Sequence, residues 1–162
     1  MKKKILIMFI LFFLSFNEIH AKEKLEVKLN KCVDGDTAWF ITDNNETIKA
    51  RFLAIDTPES TNQIEEYGKE ASKFTCDKLT NAEKIVLEYD ENSNKIDKYN
   101  RHLVWVFIDN KLLQSLLLKE GLAEIKYLYG DYEYTSILEK DESYAKENKL
   151  NIWNNQPMKI KI

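Results

Sequence analysis

The sequence predicts an α+β fold that is mainly β, in which five strands form a small, partly open barrel accompanied by three helices. Three observations predict it. The first three strand patterns follow one another through short connections, which favours antiparallel pairing over a parallel sheet. Helical patterns come later in the chain. A length of 162 residues with 44% apolar and 31% charged residues fits one domain with its own core and excludes a disordered or collagen-like chain.

The first three strands are predicted from alternation and from turn residues. Apolar and polar residues alternate over 25–30, which is the period of a half-buried strand, and Asp34-Gly35 ends it. A second strand spans Thr37–Thr42 and a third spans Thr47–Ile55. The linker Asp43–Glu46 between them is rich in turn residues and has hairpin length. These two strands should therefore form an antiparallel pair.

The later elements follow from helical spacing and from further apolar runs. Tyr67, Ala71 and Phe74 recur at helical spacing, and Gly121 is a natural C-terminal stop for the second helix. The predicted elements are a helix over 67–80, strands over 84–89 and 103–108, and helices over 112–120 and 135–148. This order of elements is typical of an OB-type barrel.

The N-terminus has the pattern of a secretory signal. Three lysines, Lys2–Lys4, precede the apolar run Ile5–Leu14, and Ala21 follows a short polar stretch. Ten residues rise about 15 Å as a helix, half of the roughly 30 Å of a bilayer core, so we expect no transmembrane anchor. The prediction is a signal peptide over 1–21, an exported protein that is either secreted or periplasmic, and a single mature domain over 22–162. The cleavage position stays open because Ile19 stands where a small residue is usual.

Charge and cysteine content limit the possible partners and compartments. Removal of residues 1–21 takes away three lysines and one glutamate, so the formal charge falls from −3 to −5. An acidic chain does not coat nucleic acid by overall attraction, although a local basic site with a bound metal can still engage a polyanion. Cys32 and Cys76 can form one disulfide in an oxidising compartment. Strand parity and helical phase direct both away from the core, which leaves the pairing open.

Three carboxylates are predicted to converge at one end of the hairpin. If the four-residue linker closes the hairpin evenly, residues whose numbers sum to 89 face each other, which places Asp36 opposite Leu53 and Asp34 opposite Ile55. Asp56 then lies at the same end. Like charges so close raise one another's pKa, so the cluster calls for a cation. Carboxylates without a Cys or His cluster favour Ca²⁺ over zinc, while ligand type alone does not exclude Mg²⁺.

Two arginines complete the candidate site. The same register puts Arg51 on the face that carries Asp36, within diagonal reach. A guanidinium binds two phosphate oxygens at once, so an arginine beside a metal suits a five-coordinate phosphorus centre. Arg101, in the turn before a strand, is the second candidate. Pro58 favours an extended Thr57, whose carbonyl is then a further candidate metal ligand.

Each of these residues also has a purely structural interpretation. Asp34–Asp36 can be a turn, Asp56–Glu59 a loop or a helix start, and the arginines solvated surface residues. Tyr127 and Tyr129 alternate on an extended segment and either stack on a base or fill the surface. The combination of carboxylates with two arginines favours the functional interpretation.

In these residues the chain resembles the staphylococcal nuclease (thermonuclease) family, over about residues 25–153. The matching segments are Val33-Asp34-Gly35-Asp36-Thr37, Arg51 with Asp56-Thr57-Pro58-Glu59, Tyr67-Gly68 with Glu70-Ala71, Asp97-Lys98-Tyr99 with Arg101, Gly121-Leu122-Ala123, Tyr127-Leu128-Tyr129 and Lys149-Leu150-Asn151-Ile152-Trp153. Three positions depart from the family pattern. Asn100 and His102 replace glycines around the second arginine, so His102 is expected to tilt Arg101, and Lys69 replaces a proline.

The resemblance implies a secreted, calcium-dependent phosphodiesterase that cuts DNA and RNA to products ending in a 3′-phosphate. It also implies a role for each matching residue. Ca²⁺ would be bound by Asp36, Asp56 and the Thr57 carbonyl, with Asp34 acting through water. Glu59 would orient or deprotonate the attacking water, and Arg51 and Arg101 would hold the phosphate. The nucleotide pocket would be lined by Lys98, Tyr99, Tyr127 and Tyr129. We expect a monomer with no membrane association in the mature form and a preference for single-stranded or denatured substrate. The preference between DNA and RNA stays open. The rival interpretations are a binding module without catalysis and a calcium-binding structural protein.

Overall fold

The computed structural model describes residues 22–154 and confirms the predicted fold class. Five strands close into a barrel, and three helices accompany them. The predicted signal peptide over 1–21 lies outside the described residues. Within 22–154, the helices are all too short or too polar to cross a membrane.

The bounds of the predicted elements lie within a few residues of the observed ones, except in the first and third strands, and the short strands over 111–112 and 124–125 were not predicted. The strands are β1 Lys24–Asp34, β2 Thr37–Thr42, β3 Thr47–Phe52, β4 Ile55–Asp56, β5 Ile85–Glu88, β6 His102–Ile108, β7 Lys111–Leu112 and β8 Glu124–Ile125. The helices are α1 Gly68–Thr80, α2 Leu113–Lys119 and α3 Thr135–Glu147, and a 3₁₀ turn spans Asn151–Trp153.

The barrel closes through a parallel contact between its first and last strands in spatial order. Antiparallel neighbours follow the order β3, β2, β1, β5, β6, and Ala50 of β3 then pairs with His102 of β6. The interior holds fully buried side chains such as Phe40, Phe52 and Trp105. Closure removes exposed strand edges. It also brings the segment around Arg51 next to the start of β6, which follows Arg101 directly.

The predicted hairpin register is wrong by one residue. Thr37 pairs with Arg51, and the Phe52 N–H donates to the Asp36 carbonyl at 2.9 Å. The numbers of paired residues therefore sum to 88, and Asp36 does not lie opposite Leu53. Asp34 pairs with Thr37 instead of facing Ile55.

The loop of this hairpin explains the shift. The Thr42 N–H donates to the Glu46 carbonyl at 3.0 Å, so both residues belong to the ladder and the loop has three residues. Asn45 ends the loop at φ 61°, in the left-handed region that asparagine tolerates. A type I turn followed by a left-handed residue is a common three-residue hairpin loop.

The predicted third strand, Thr47–Ile55, breaks at its end. It stops at Phe52, and Ala54 has a left-handed φ of 61°. The chain then restarts as β4, in which Ile55 pairs with Ile125 of β8. The break turns Asp56 out of the main sheet and towards the site described below.

The disulfide that the sequence left open is formed. Cys32 and Cys76 are bonded with their Cα atoms 5.7 Å apart, which joins β1 to α1. Both residues are half-buried. An irregularity between Leu29 and Lys31 shifts the register of β1, so that Cys32 pairs with the buried Ala38. Simple alternation along β1 therefore does not predict the direction of Cys32.

Candidate active site

A groove of about 1150 Å³ runs over the ends of β1 and β3 and the start of β6. Tyrosine, arginine and carboxylate side chains share its lining. Of the predicted site residues, Asp34, Asp36, Arg51, Asp56, Glu59, Lys98, Tyr99, Arg101, Tyr127 and Tyr129 line it. Thr57 lies immediately behind, in contact with Asp36. The structure thus brings the predicted set together at one surface.

Arg51 lies between two carboxylates in the lining of the groove. Its Nη1 atom contacts Asp36 Oδ2, and its Nη2 atom donates to Asp56 Oδ1 at 2.7 Å. Only 8% of Arg51 is exposed. The predicted proximity of Arg51 and Asp36 holds despite the register error, because Asp36 sits in the turn between β1 and β2, where strand alternation does not fix its side chain.

Asp36 is held in a defined orientation. Its Oδ2 atom accepts from the Thr57 N–H at 3.0 Å and from the Thr57 hydroxyl at 3.2 Å, and its Oδ1 atom accepts from the Thr37 hydroxyl at 3.0 Å. Burial raises the pKa of Asp36, and the Arg51 guanidinium opposes that rise. A buried carboxylate of this kind needs a cation beside it.

Asp34 and Glu59 form a second acidic pair beside Asp36. The Asp34 Oδ1 atom accepts from the Gly35 N–H at 2.8 Å and from the Ser60 hydroxyl at 2.7 Å. Partial burial, and then a hydrogen bond and repulsion from Asp34, raise the pKa of Glu59. Ser60 contacts this candidate site through its hydrogen bond to Asp34, and the sequence analysis did not include it although it directly follows Glu59.

Two glycines allow the acidic loops to approach closely. A Cβ atom on Gly35 would lie 2.6 Å from Thr57 Oγ1, and one on Gly68 would lie 2.1 Å from the Glu59 carbonyl oxygen. Neither position accepts a side chain without a shift of the loop. From the other side, the buried Thr75 hydroxyl of α1 donates to the Gly35 carbonyl at 2.6 Å. Helix α1 therefore supports the turn that carries Asp34 and Asp36.

Arg101 is held by its own turn. The Arg101 Nε atom donates to Asp97 Oδ2 at 2.8 Å, while Asp97 Oδ1 accepts from the Tyr99 and Arg101 N–H groups at 2.9 Å. Asn100 adopts a left-handed φ of 59°, which asparagine tolerates. The His102 ring contacts the Tyr89 hydroxyl at 2.5 Å. The His102 side chain thus contacts Tyr89, and Arg101 keeps its ion pair with Asp97.

Exposed tyrosine rings lie beside both guanidinium groups. Tyr99, Tyr127 and Tyr129 are 67%, 49% and 81% exposed. The Arg101 Cζ atom lies 5.3 Å from the centre of the Tyr99 ring, and the Arg51 Cζ atom lies 5.8 Å from that of Tyr127. Exposed aromatic faces next to cationic groups suit a base and its phosphate.

Lys126 is a site residue that sequence reasoning missed. Its Nζ atom lies 2.8 Å from Asp56 Oδ2 and 3.2 Å from Glu124 Oε1. Hydrogen bonds to these two carboxylates raise the pKa of Lys126. The backbone N–H of Lys126 donates to the Ala54 carbonyl at 3.0 Å, which ties this residue to the break after β3. In the sequence, its position directly before Tyr127, a predicted pocket residue, was the feature that could have indicated Lys126.

The donor set determines which metal the groove can bind. Among residues 22–154, no three acidic, His or Cys side chains lie close enough together to hold a metal by themselves. Asp36 and Asp56 do converge on one cation, the Arg51 guanidinium, so their oxygens can share a positive charge. Two carboxylates completed by carbonyl and water oxygens fit a hard ion such as Ca²⁺, and they do not fit a structural zinc site.

Comparison with known proteins agrees with this geometry. Residues 49–155 match the family model of staphylococcal nuclease homologues. The chain is 42% identical to the SPbeta prophage-derived endonuclease YokF of Bacillus subtilis, over 82% of this chain and 45% of that protein. It is 39% identical to endonuclease YncB of the same organism, over 82% of this chain and 63% of that protein. It is also 37% identical to the thermonuclease of Staphylococcus hyicus, over 79% of this chain and 75% of that protein. The chain thus spans about half to two thirds of the length of the two Bacillus relatives, and it belongs to the staphylococcal nuclease family.

Proposed function

We propose that the protein is a calcium-dependent nuclease that hydrolyses phosphodiester bonds of DNA and RNA and leaves 3′-phosphate ends. The observation that carries the proposal is the buried Arg51 guanidinium between Asp36 and Asp56, in a groove that Arg101 and three exposed tyrosines also line. This arrangement combines the two requirements of phosphoryl transfer, which are a site for a hard cation and planar donors for phosphate oxygens.

In the proposed site, Asp36, Asp56 and the Thr57 carbonyl would hold Ca²⁺, with Asp34 acting through water. The ion supplies charge stabilisation as a Lewis acid. Arg51 and Arg101 each donate to phosphate oxygens and offset the charge that builds on them during attack. Their pairing with carboxylates fixes both guanidinium groups before substrate arrives.

The reaction in this proposal is an in-line displacement at phosphorus. A water oxygen bonds to phosphorus while the bond from phosphorus to the 5′-oxygen breaks, and the leaving 5′-oxygen takes up a proton from solvent water, which yields a 3′-phosphate and a 5′-hydroxyl. Glu59 orients this water or takes its proton. The raised pKa of Glu59 supports a role as base, because a carboxylate with a higher pKa accepts a proton more readily.

The exposed groove supports single-stranded or denatured substrate. Lys98 provides a phosphate contact, while Tyr99, Tyr127 and Tyr129 provide stacking surfaces for unpaired bases. We expect a monomer without membrane association in its mature form. We further propose that residues 1–21 direct export, so that the mature protein is either secreted or periplasmic. The disulfide between Cys32 and Cys76 supports an oxidising compartment.

Digestion of denatured DNA by the purified protein, with and without a calcium chelator, tests this proposal. We expect cleavage that depends on calcium, and a loss of about 10² to 10³ in rate for Arg51→Ala or Glu59→Ala. Lys140→Ala, a surface change on α3, is the control and should match the unmodified protein. Activity of either site variant within about threefold of the control contradicts the site assignment. Binding of DNA without cleavage favours the binding module, and calcium binding without either favours the structural protein.

A further inference from the structure

A row of two lysines and a tryptophan crosses the outer face of the first three strands. Lys31 of β1 pairs with Trp39 of β2, and Trp39 pairs with Lys49 of β3. The neighbours of Trp39 along β2, Ala38 and Phe40, are fully buried in the core. Because side chains alternate along a strand, all three members of the row point away from the core.

This row is continuous with the groove. Lys49 lines the groove, and it lies two residues before Arg51 on the same face of β3. Two strand residues rise about 7 Å, which is close to the separation of neighbouring phosphates in a nucleic acid strand. Lys31 lies two strands away from Lys49, at about 10 Å. A strand whose scissile phosphate contacts Arg51 can therefore reach Lys49 with its next phosphate.

The chemistry of the row matches a single-stranded polyanion with unpaired bases. The Lys49 Nζ atom lies 5.6 Å from the centre of the Trp39 ring, and the Trp39 side chain is half-buried. Neither Lys31 nor Lys49 forms a salt bridge with any residue of the described chain, whereas the lysines at 24, 84, 95 and 126 do. Strands β2 and β3 contain no acidic residue. In a chain with more acidic than basic residues, this is a local basic surface.

We propose that Lys31, Trp39 and Lys49 form an extended subsite that binds the single strand beyond the phosphate held by Arg51, with a base stacked on Trp39 and phosphates at the two lysines. This subsite deepens the proposed function and rests on it for the identity of the substrate. Through this row an acidic protein can hold a long substrate, because the two lysines attract the phosphates locally although the chain as a whole is negatively charged.

Binding can be measured without cleavage. Trp105 and Trp153 are buried, so Trp39 is the most accessible of the three tryptophans. Oligothymidylate, added in the presence of a chelator and shown intact by electrophoresis, should quench the tryptophan fluorescence. Trp39→Leu should abolish this quenching and weaken binding about tenfold. Trp39→Phe, which keeps an aromatic ring, should retain most of the affinity and provides a folded comparison.

The lysines are tested by the salt dependence of the same binding. Each phosphate contact to a single strand contributes about 0.7 to the slope of log affinity against log salt. Lys31→Ala with Lys49→Ala should therefore lower that slope by about 1.4. Lys111→Ala with Lys140→Ala is the control, because it removes the same charge from exposed positions outside the row. Equal slopes and affinities for the two double variants, or quenching that survives in Trp39→Leu, would overturn the subsite.

Cleavage in calcium separates this proposal from the proposed function. If the subsite is correct, the double variant Lys31→Ala with Lys49→Ala loses about tenfold more activity on an oligonucleotide than on a dinucleotide. The double variant Lys111→Ala with Lys140→Ala should lose similar activity on both substrates. If the unmodified protein binds with quenching but cuts nothing, hydrolysis is wrong and the subsite stands. If it cuts and both double variants show the same ratio of long to short substrate, the subsite is wrong and hydrolysis stands.

Discussion

Lys126 and Asp56 form an ion pair at the edge of the candidate metal site, with the Lys126 Nζ atom 2.8 Å from Asp56 Oδ2. The other oxygen of the same carboxylate accepts from Arg51 at 2.7 Å. Asp56 is therefore neutralised from two sides. A metal ion that binds Asp56 must compete with Lys126 for this carboxylate.

Lys126→Met should strengthen calcium binding. The substitution removes a positive charge next to the proposed ligand Asp56 and keeps an unbranched side chain of similar length. Because the lysine side chain is 44% exposed, solvent screening reduces its effect, and we expect a gain of about fivefold in affinity. Isothermal titration of calcium into the metal-free protein measures it, with Lys140→Met as the matched control. Unchanged or weaker binding would show that Lys126 does not compete with the metal.

Arg51→Ala should unfold more easily when calcium is chelated. The variant leaves Asp36 buried beside Asp56 without their shared cation, which should lower the free energy of unfolding by about 3 kcal/mol. Calcium should restore part of that loss, because it supplies the missing positive charge. Urea unfolding with and without calcium measures both effects. A variant whose stability is insensitive to calcium would place the ion away from Asp36 and Asp56.

The sequence predicts the site better than it predicts the detailed path of the chain. The residue types at 34, 36, 51, 56 and 59 point to one polar site, and the groove contains all five. Their predicted convergence does not depend on a precise register, because Asp36 lies in a turn and Asp56 follows a break in the strand. The error of one residue in the hairpin comes from Asn45, whose left-handed backbone shortens the loop.

Contacts between segments distant in the chain could not be read from local patterns. Lys126 approaches Asp56 only because β8 pairs with β4, and both strands have just two residues. Thr75 supports Gly35 from a helix forty residues away. The disulfide was undecided because the irregularity in β1 changes the direction of Cys32. Each of these features depends on tertiary packing more than on periodicity.

Asp34→Asn should move the acid limb of the pH profile to lower pH. Partial burial raises the pKa of Glu59, and Asp34 adds to the rise through a hydrogen bond and repulsion. A base acts only when deprotonated, so kcat/KM falls as the pH drops through the pKa of Glu59. Removal of the negative charge at position 34 lowers that pKa.

The profile should be measured at saturating calcium on denatured DNA, with Glu139→Gln as a control that removes an exposed carboxylate on α3. A limb that stays in place in Asp34→Asn would show that Glu59 does not control it, and would favour the role of Glu59 as a positioner of water.

The disulfide should stabilise the protein and also support the metal site. The bond between Cys32 and Cys76 closes a loop of 44 residues, which predicts a loss of about 4 kcal/mol in the free energy of unfolding for the double variant to serine. Cys76 directly follows Thr75, whose hydroxyl holds the Gly35 carbonyl at 2.6 Å, and Cys32 lies two residues before Asp34. Loss of the bond should therefore loosen the Asp34–Asp36 turn and weaken calcium binding several-fold. Thr75→Val, which keeps the disulfide and removes only the hydrogen bond, separates the two contributions. Calcium affinity that falls in Thr75→Val but not in the serine variant would limit the disulfide to global stability, because helix α1 would then hold the turn without it.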